Sequence, residues 1–190
     1  MKKTWFVFLL IFSMTITGFA DKPEANAFAE FPEALGFYYG EISGTGLTYH
    51  KWVDGVGYQI TAGALYLPPD SGNNLLDYVV GFENSYTVYS EDFTKWLSGL
   101  LSLFWGVNHR GYIPVEVEYD EVTYEASYDI GSYVPTLTLG GGIGIEVLWF
   151  KHFSIPFEVG YGATYLPLES DVIDMFLVDL YFQAGFRYRY

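Results

Sequence analysis

The chain has 190 residues, a formal net charge of −14, and a composition that is 51% hydrophobic and 21% aromatic. With 23 acidic side chains against 9 basic ones, it lacks the positive footprint that nucleic acid requires. The absence of cysteine removes both a lipoprotein anchor and a disulfide framework.

Residues 1–20 read as a secretory signal peptide: Lys2 and Lys3, an apolar run over 5–12, and Gly18-Phe19-Ala20 as a small-x-small cleavage site. That run is too short to cross a bilayer as a helix. Cleavage near Ala20 removes two basic residues and no acid, so the exported chain is more acidic still. Residues 21–33 carry no period and read as a periplasmic lead.

From residue 34 to 190 the pattern is that of one domain. A period of two predicts strands over about 34–42, 45–53, 56–67, 75–89, 96–110, 136–150, 153–168 and 175–190. Asp54-Gly55 between Val53 and Val56 is a type I′ hairpin signal, which sets His50 across from Gln59. Another turn falls near Ser90-Glu91. Around residues 150–152 the parity of Trp149 and Phe153 demands an odd loop with a bulge. The last strand shows the pattern most clearly: Val178, Leu180, Phe182, Ala184, Phe186, Tyr188 and Tyr190 alternate with Asp179, Gln183, Arg187 and Arg189. An apolar face backing onto a charged one, in an exported chain, predicts an all-β fold, an antiparallel eight-stranded transmembrane up-and-down β-barrel preceded by a signal peptide. Ile143, Ile145, Val147, Phe157, Val159, Leu180 and Phe182 are expected to face lipid, with Trp149 and Tyr188 in an aromatic girdle. Short turns then lie on the periplasmic side, and residues 68–74, 111–135 and 169–174 are extracellular. A competing count breaks the chain at residues 108–111 and drops the 34–42 strand. Unbroken parity from Leu97 through Val107 to Val117 and Tyr119 argues against it.

Residues 134–146 (VPTLTLGGGIGIE), residues 153–162 (FSIPFEVGYG) and the terminal Phe186-Arg187-Tyr188-Arg189-Tyr190 resemble the small eight-stranded outer-membrane barrels, the class containing the OmpA membrane domain and OmpX-type proteins, and within it a group without assigned activity. The resemblance implies location in the bacterial outer membrane, contact with its lipid and lipopolysaccharide, and insertion by the barrel-assembly machinery. In such barrels the terminal aromatic strand is the assembly signal, here Phe186, Tyr188 and Tyr190. It implies no catalytic residue and no cofactor.

The alternating glycines 140, 142 and 144 lack the strand-turn-helix context of a phosphate loop. They read as a lumen patch without side chains, with Gly142 across from Gly160 and Gly140 from Gly162, making room for neighbours such as Leu100 or Phe104. Lumen parity gathers His50, Glu83, Glu146, Glu158, Arg187 and Arg189. Paired acids and bases can serve proton transfer, but a narrow barrel fills its interior with side chains and keeps charges only when paired, so an internal ion-pair network is expected. A lipid-modifying enzyme needs a Ser/His/acid set near the outer rim. Only His109 lies there, and Ser98 and Ser102 take the opposite face of its strand. Residues 112–134 form an acidic, tyrosine-rich projection with Glu116, Glu118, Asp120, Glu121, Glu125 and Asp129 and no Lys or Arg. It is a surface for a partner, or a solvated loop near lipopolysaccharide; the spacing of a calcium loop is absent. The expected function is therefore a non-enzymatic outer-membrane barrel with a structural or surface-interaction role, the alternatives being a narrow conduit for small solutes and a lipid-modifying enzyme.

Overall fold

A computed structural model describes residues 27–71, 73–119, 126–166 and 175–190. The expected signal peptide, residues 21–26 of the lead, and Asp120, Glu121 and Glu125 lie outside the described residues. Eight strands close a barrel: β1 (Glu33–Tyr39), β2 (Gly46–Val53), β3 (Val56–Tyr66), β4 (Leu76–Thr94), β5 (Leu97–Ile113), β8 (Val134–Trp149), β9 (Phe153–Leu166) and β10 (Met175–Arg189). Each pairs antiparallel with its neighbours, and β1 closes the ring on β10. Between β5 and β8 the chain leaves the wall as a separate hairpin of β6 (Val115–Tyr119) and β7 (Ala126–Ile130). β5 runs unbroken to Ile113, so the competing count is excluded.

The turns follow local chemistry. Val53 pairs with Val56 across Asp54 and Gly55, both at positive φ (50° and 81°), as a type I′ turn requires. Trp149 pairs with Phe153 across the odd loop, where Phe150 and Lys151 take positive φ. The turn expected near Ser90-Glu91 lies instead at Lys95-Trp96. Ser90 and Glu91 still pair, with Leu100 and Gly99, beyond a register shift between Thr87 and Tyr89 that breaks the two-residue alternation of β4.

Stepping through paired residues from Phe186 to Phe37, Leu47, Ala62, Val80, His109, Leu137 and Tyr165 returns to β10 at Phe176, ten residues displaced. With eight strands, that stagger tilts them strongly and leaves an interior just wide enough for side chains.

The molecule is inside out. Large apolar residues stand on the outer face, among them Leu47 (75% exposed), Phe182 (72%) and Ile143 (50%), while Arg187, Arg189, Glu83, Gln59 and His50 are buried. Ile145, Phe157 and Leu180 share that exposed face, and Tyr188 joins it beside Phe153 and Phe186.

Two features depart from a plain cylinder. The first helical turn, α1 (Ala27–Glu30), closes the end of the barrel that carries the short turns: Phe28 packs with Trp52, Leu100 and Leu148, and Lys151 reaches Glu30 at 2.7 Å. Part of the expected lead is thus a stopper, because Ala27 and Phe28 are buried against Trp52, Leu100 and Leu148. Secondly, β1 ends at Tyr39 rather than near residue 42, and residues 40–45 turn into the lumen.

Candidate functional site

The inward turn is built from a glycine-rich stretch, Gly40-Glu41-Ile42-Ser43-Gly44-Thr45-Gly46. Gly44 takes φ 88° and Gly46 φ 144°, conformations that side chains resist, which allows the reversal. Ile42 and Ser43 are fully buried. A Cβ on Gly140, Gly162 or Gly106 would lie 2.9–3.2 Å from the Ile42 side chain, and one on Gly81 would strike the Ser43 backbone. The lumen glycines of β4, β5, β8 and β9 therefore form a socket for this turn. Ile42, and not Leu100 or Phe104, fills the space against Gly140 and Gly162. The expected pairs Gly142–Gly160 and Gly140–Gly162 are present in the register.

Gln183 fastens the turn. Its side-chain oxygen accepts the backbone N–H of Ile42 at 2.9 Å and of Ser43 at 3.0 Å, while its amide donates to Glu158 at 3.0 Å. Ser43 donates to Glu83, which also receives Ser85 at 2.8 Å, and the Tyr38 hydroxyl donates to Glu158. This upper group joins two buried carboxyls through hydroxyl and amide donors.

Below it lies the ionic group. Glu146 receives Arg189 at 2.6 Å and faces Arg187 at 3.5 Å, all three almost sealed from solvent. Arg187 also donates to Gln59 and stacks over Tyr38, while Arg189 stacks over Phe28 of the stopper. The six residues expected to form one network thus divide. Glu146, Arg187 and Arg189 form ion pairs, but Glu83 and Glu158 pair with neither arginine within salt-bridge distance. His50 packs edge-on to Trp52 with its Nδ1 unpartnered. Parity places all six on one face, but height along a steeply staggered barrel decides which of them meet.

At the opposite end, Arg110 forks onto Asp77 at 2.9 and 2.5 Å. Outside the wall, His109 donates from Nδ1 to the Thr136 carbonyl at 3.1 Å, so its Nε2 accepts the Tyr78 hydroxyl at 3.0 Å. Tyr133 donates to Tyr78 at 2.6 Å, and that bond holds the Tyr133 phenol above its usual range. Ser98 and Ser102 are buried on the lumen face, away from His109. On the projecting hairpin, Glu116 lies directly across from Asp129, and Glu118 across from Ser127. Like charges facing each other weaken a hairpin, so its sequence is not optimised for isolated stability. Phe186 and Tyr188 line the outer face at the closed end, and Tyr190 donates its N–H to the Glu33 carbonyl at 2.9 Å.

Parity set Gln59 and Gln183 on the lumen face without giving either a role, and it missed Tyr38, Ile42 and Ser43. Three glycines within residues 40–46 were the available signal, since a simple two-residue hairpin needs fewer.

No family model matches the chain, and no curated protein matches it. Among solved structures it is similar to the crystal structure of the N-terminal β-barrel domain of Pseudomonas aeruginosa OprF, with 10% identity and a TM-score of 0.42 over 82% of this chain and 94% of that one.

Proposed function

We propose that the chain is a bacterial outer-membrane barrel with a sealed lumen and a structural or cell-surface interaction role, without enzymatic activity. The observation that carries this reading is the inverted distribution of side chains, apolar outside and charged within, over a closed ring of strands whose interior is blocked at three levels. Ile42 and Ser43 fill the glycine socket, Glu146 with its two arginines fills the lower lumen, and Phe28 closes the mouth. An apolar band on a tilted barrel is stable only against hydrocarbon, since its exposed area in water would favour aggregation. The leader-like residues 1–20 and the terminal aromatics Phe186, Tyr188 and Tyr190 support export and recognition by the barrel-assembly machinery. The acidic hairpin supports a role in contacting a partner beyond the lipopolysaccharide.

Conductance of the refolded barrel in a planar bilayer tests the sealed reading. Little steady current is the expected result; large, stable channels would replace it with the conduit reading.

A further inference from the structure

The barrel wall is incomplete on one side. The last partner of β1 on β10 is Ala184, so residues 175–183 of β10 pair with β9 alone. β2 meets β3 only as far as Ala62, so residues 63–66 of β3 pair with β4 alone. Among the described residues, β1 and β2 are therefore absent from the wall beyond Tyr39 and Gly46, at the end farther from the stopper, where the inward turn takes their place. Behind the gap lies a cavity of about 520 Å³, with Phe37, Tyr39, Leu65, Asp77, Asn108 and Arg110 among its lining. Its volume lies within the range of small-ligand sites.

The cavity has two chemically distinct ends. Phe37, Tyr39 and Leu65 are exposed and continue the apolar outer wall. The inner end carries the Arg110–Asp77 fork and Asn108, whose Nδ2 donates to the Glu41 carbonyl at 3.1 Å. Asp77 already neutralises Arg110. Glu41 in the lining therefore leaves the site negative.

We propose that this gap is a lateral binding site for a single-chain amphiphile with a cationic head, entered from the membrane. The alkyl chain lies along Phe37, Tyr39 and Leu65, and an ammonium head sits beside Glu41. The proposal rests on the membrane reading above and adds a ligand class to it. A sealed lower lumen is compatible with it, because the site lies on the other side of the Ile42–Ser43 turn.

The test uses the barrel in lipid nanodiscs with two photoactivatable probes sharing one diazirine-bearing dodecyl chain, one ending in a primary amine and the other in a carboxylate. Cross-links are mapped by mass spectrometry. The amine is expected to label the segment around Tyr39 and Leu65 at least about fivefold more than the wall at Ile143 and Phe157, with the carboxylate showing no such preference. Leu65→Trp, a change at an exposed side chain that narrows the cavity, should bring labelling down to the level of that wall while the heat-dependent gel shift of the folded barrel persists. Labelling that is even around the wall, that favours the carboxylate, or that ignores Leu65→Trp would overturn the site. Failure of both probes to label Ile143 and Phe157 would overturn the membrane reading itself, and the site with it.

Discussion

Replacing Glu146 with Gln puts the lower lumen to its most direct test. Glu146 lies 2.6 Å from Arg189 Nη2 and 3.5 Å from Arg187 Nη1, and the three side chains are 5%, 0% and 2% exposed. The amide keeps the volume but removes the only carboxylate within ion-pair distance of either guanidinium among the described residues. The Nε atoms of both arginines already lack partners, so no spare acceptor is at hand. Removing one partner of a buried pair costs about 3–5 kcal/mol. Arg187 retains Gln59, and the rings of Tyr38 and Phe28 still face the two cations at 5.4 and 5.0 Å. Those contacts place the expected loss near the lower end, about 3 kcal/mol. Urea unfolding of the refolded barrel in vesicles, followed by tryptophan fluorescence, measures it. The control is Lys151→Ala, which breaks a 2.7 Å pair between two half-exposed side chains and should cost no more than about 1 kcal/mol. Equal losses for the two variants would refute a dry, sealed lower lumen, because only water reaching the arginines would make the two pairs equivalent.

Ile143→Arg on the outer face of β8 should destabilise the barrel in vesicles by about 2–4 kcal/mol, whereas Leu35→Arg near the closed rim should cost about 0–1 kcal/mol; similar values would defeat the assignment of the lipid face. Gln183→Leu removes the acceptor shared by the Ile42 and Ser43 N–H groups, so it should cost about 2–4 kcal/mol and introduce intermittent current in a planar bilayer. A silent, fully stable variant would show that Gln183 does not hold the turn. Deleting residues 115–130 and closing with a short glycine-containing turn should leave the barrel's unfolding midpoint unchanged, because β6 and β7 pair only with each other. A lost barrel would show that the hairpin supports the wall.

The wall was legible because strands with an apolar outer face and a polar inner one announce themselves by alternation, and alternation survives without any knowledge of partners. The eight barrel strands, the Val53–Val56 hairpin, the odd loop after Trp149 and the opposition of Gly142 and Gly160 all follow from counting by two. Counting fails wherever the backbone inserts a residue. Beyond the shift between Thr87 and Tyr89, β4 keeps pairing through Glu91 and Asp92, so the turn lies at Lys95 and not at Ser90. The lumen was legible as a set of residues but not as a set of contacts. His50, Glu83, Glu146, Glu158, Arg187 and Arg189 do face inward, yet a ten-residue stagger separates residues that sequence parity treats as level, so only three of them meet as ions. The inward turn escaped altogether because Ile42 is apolar on a face that parity reserves for polar groups. The glycines that admit it lie on four other strands.

The glycine socket, the plug and the gap in the wall have one cause. β1 and β2 can end early only if the chain between them has somewhere to go, and residues 40–45 go inward because Gly81, Gly106, Gly140 and Gly162 leave a hole that Ile42 and Ser43 fill. The inward turn brings two backbone N–H groups into a low-dielectric interior, where each needs an acceptor, and Gln183 supplies one oxygen to both. Folding the turn inside therefore closes the axial path while opening the lateral one. A longer β1–β2 hairpin would reverse both effects, completing the wall and emptying the socket. Four small residues on distant strands thus determine where the chain between β1 and β2 lies.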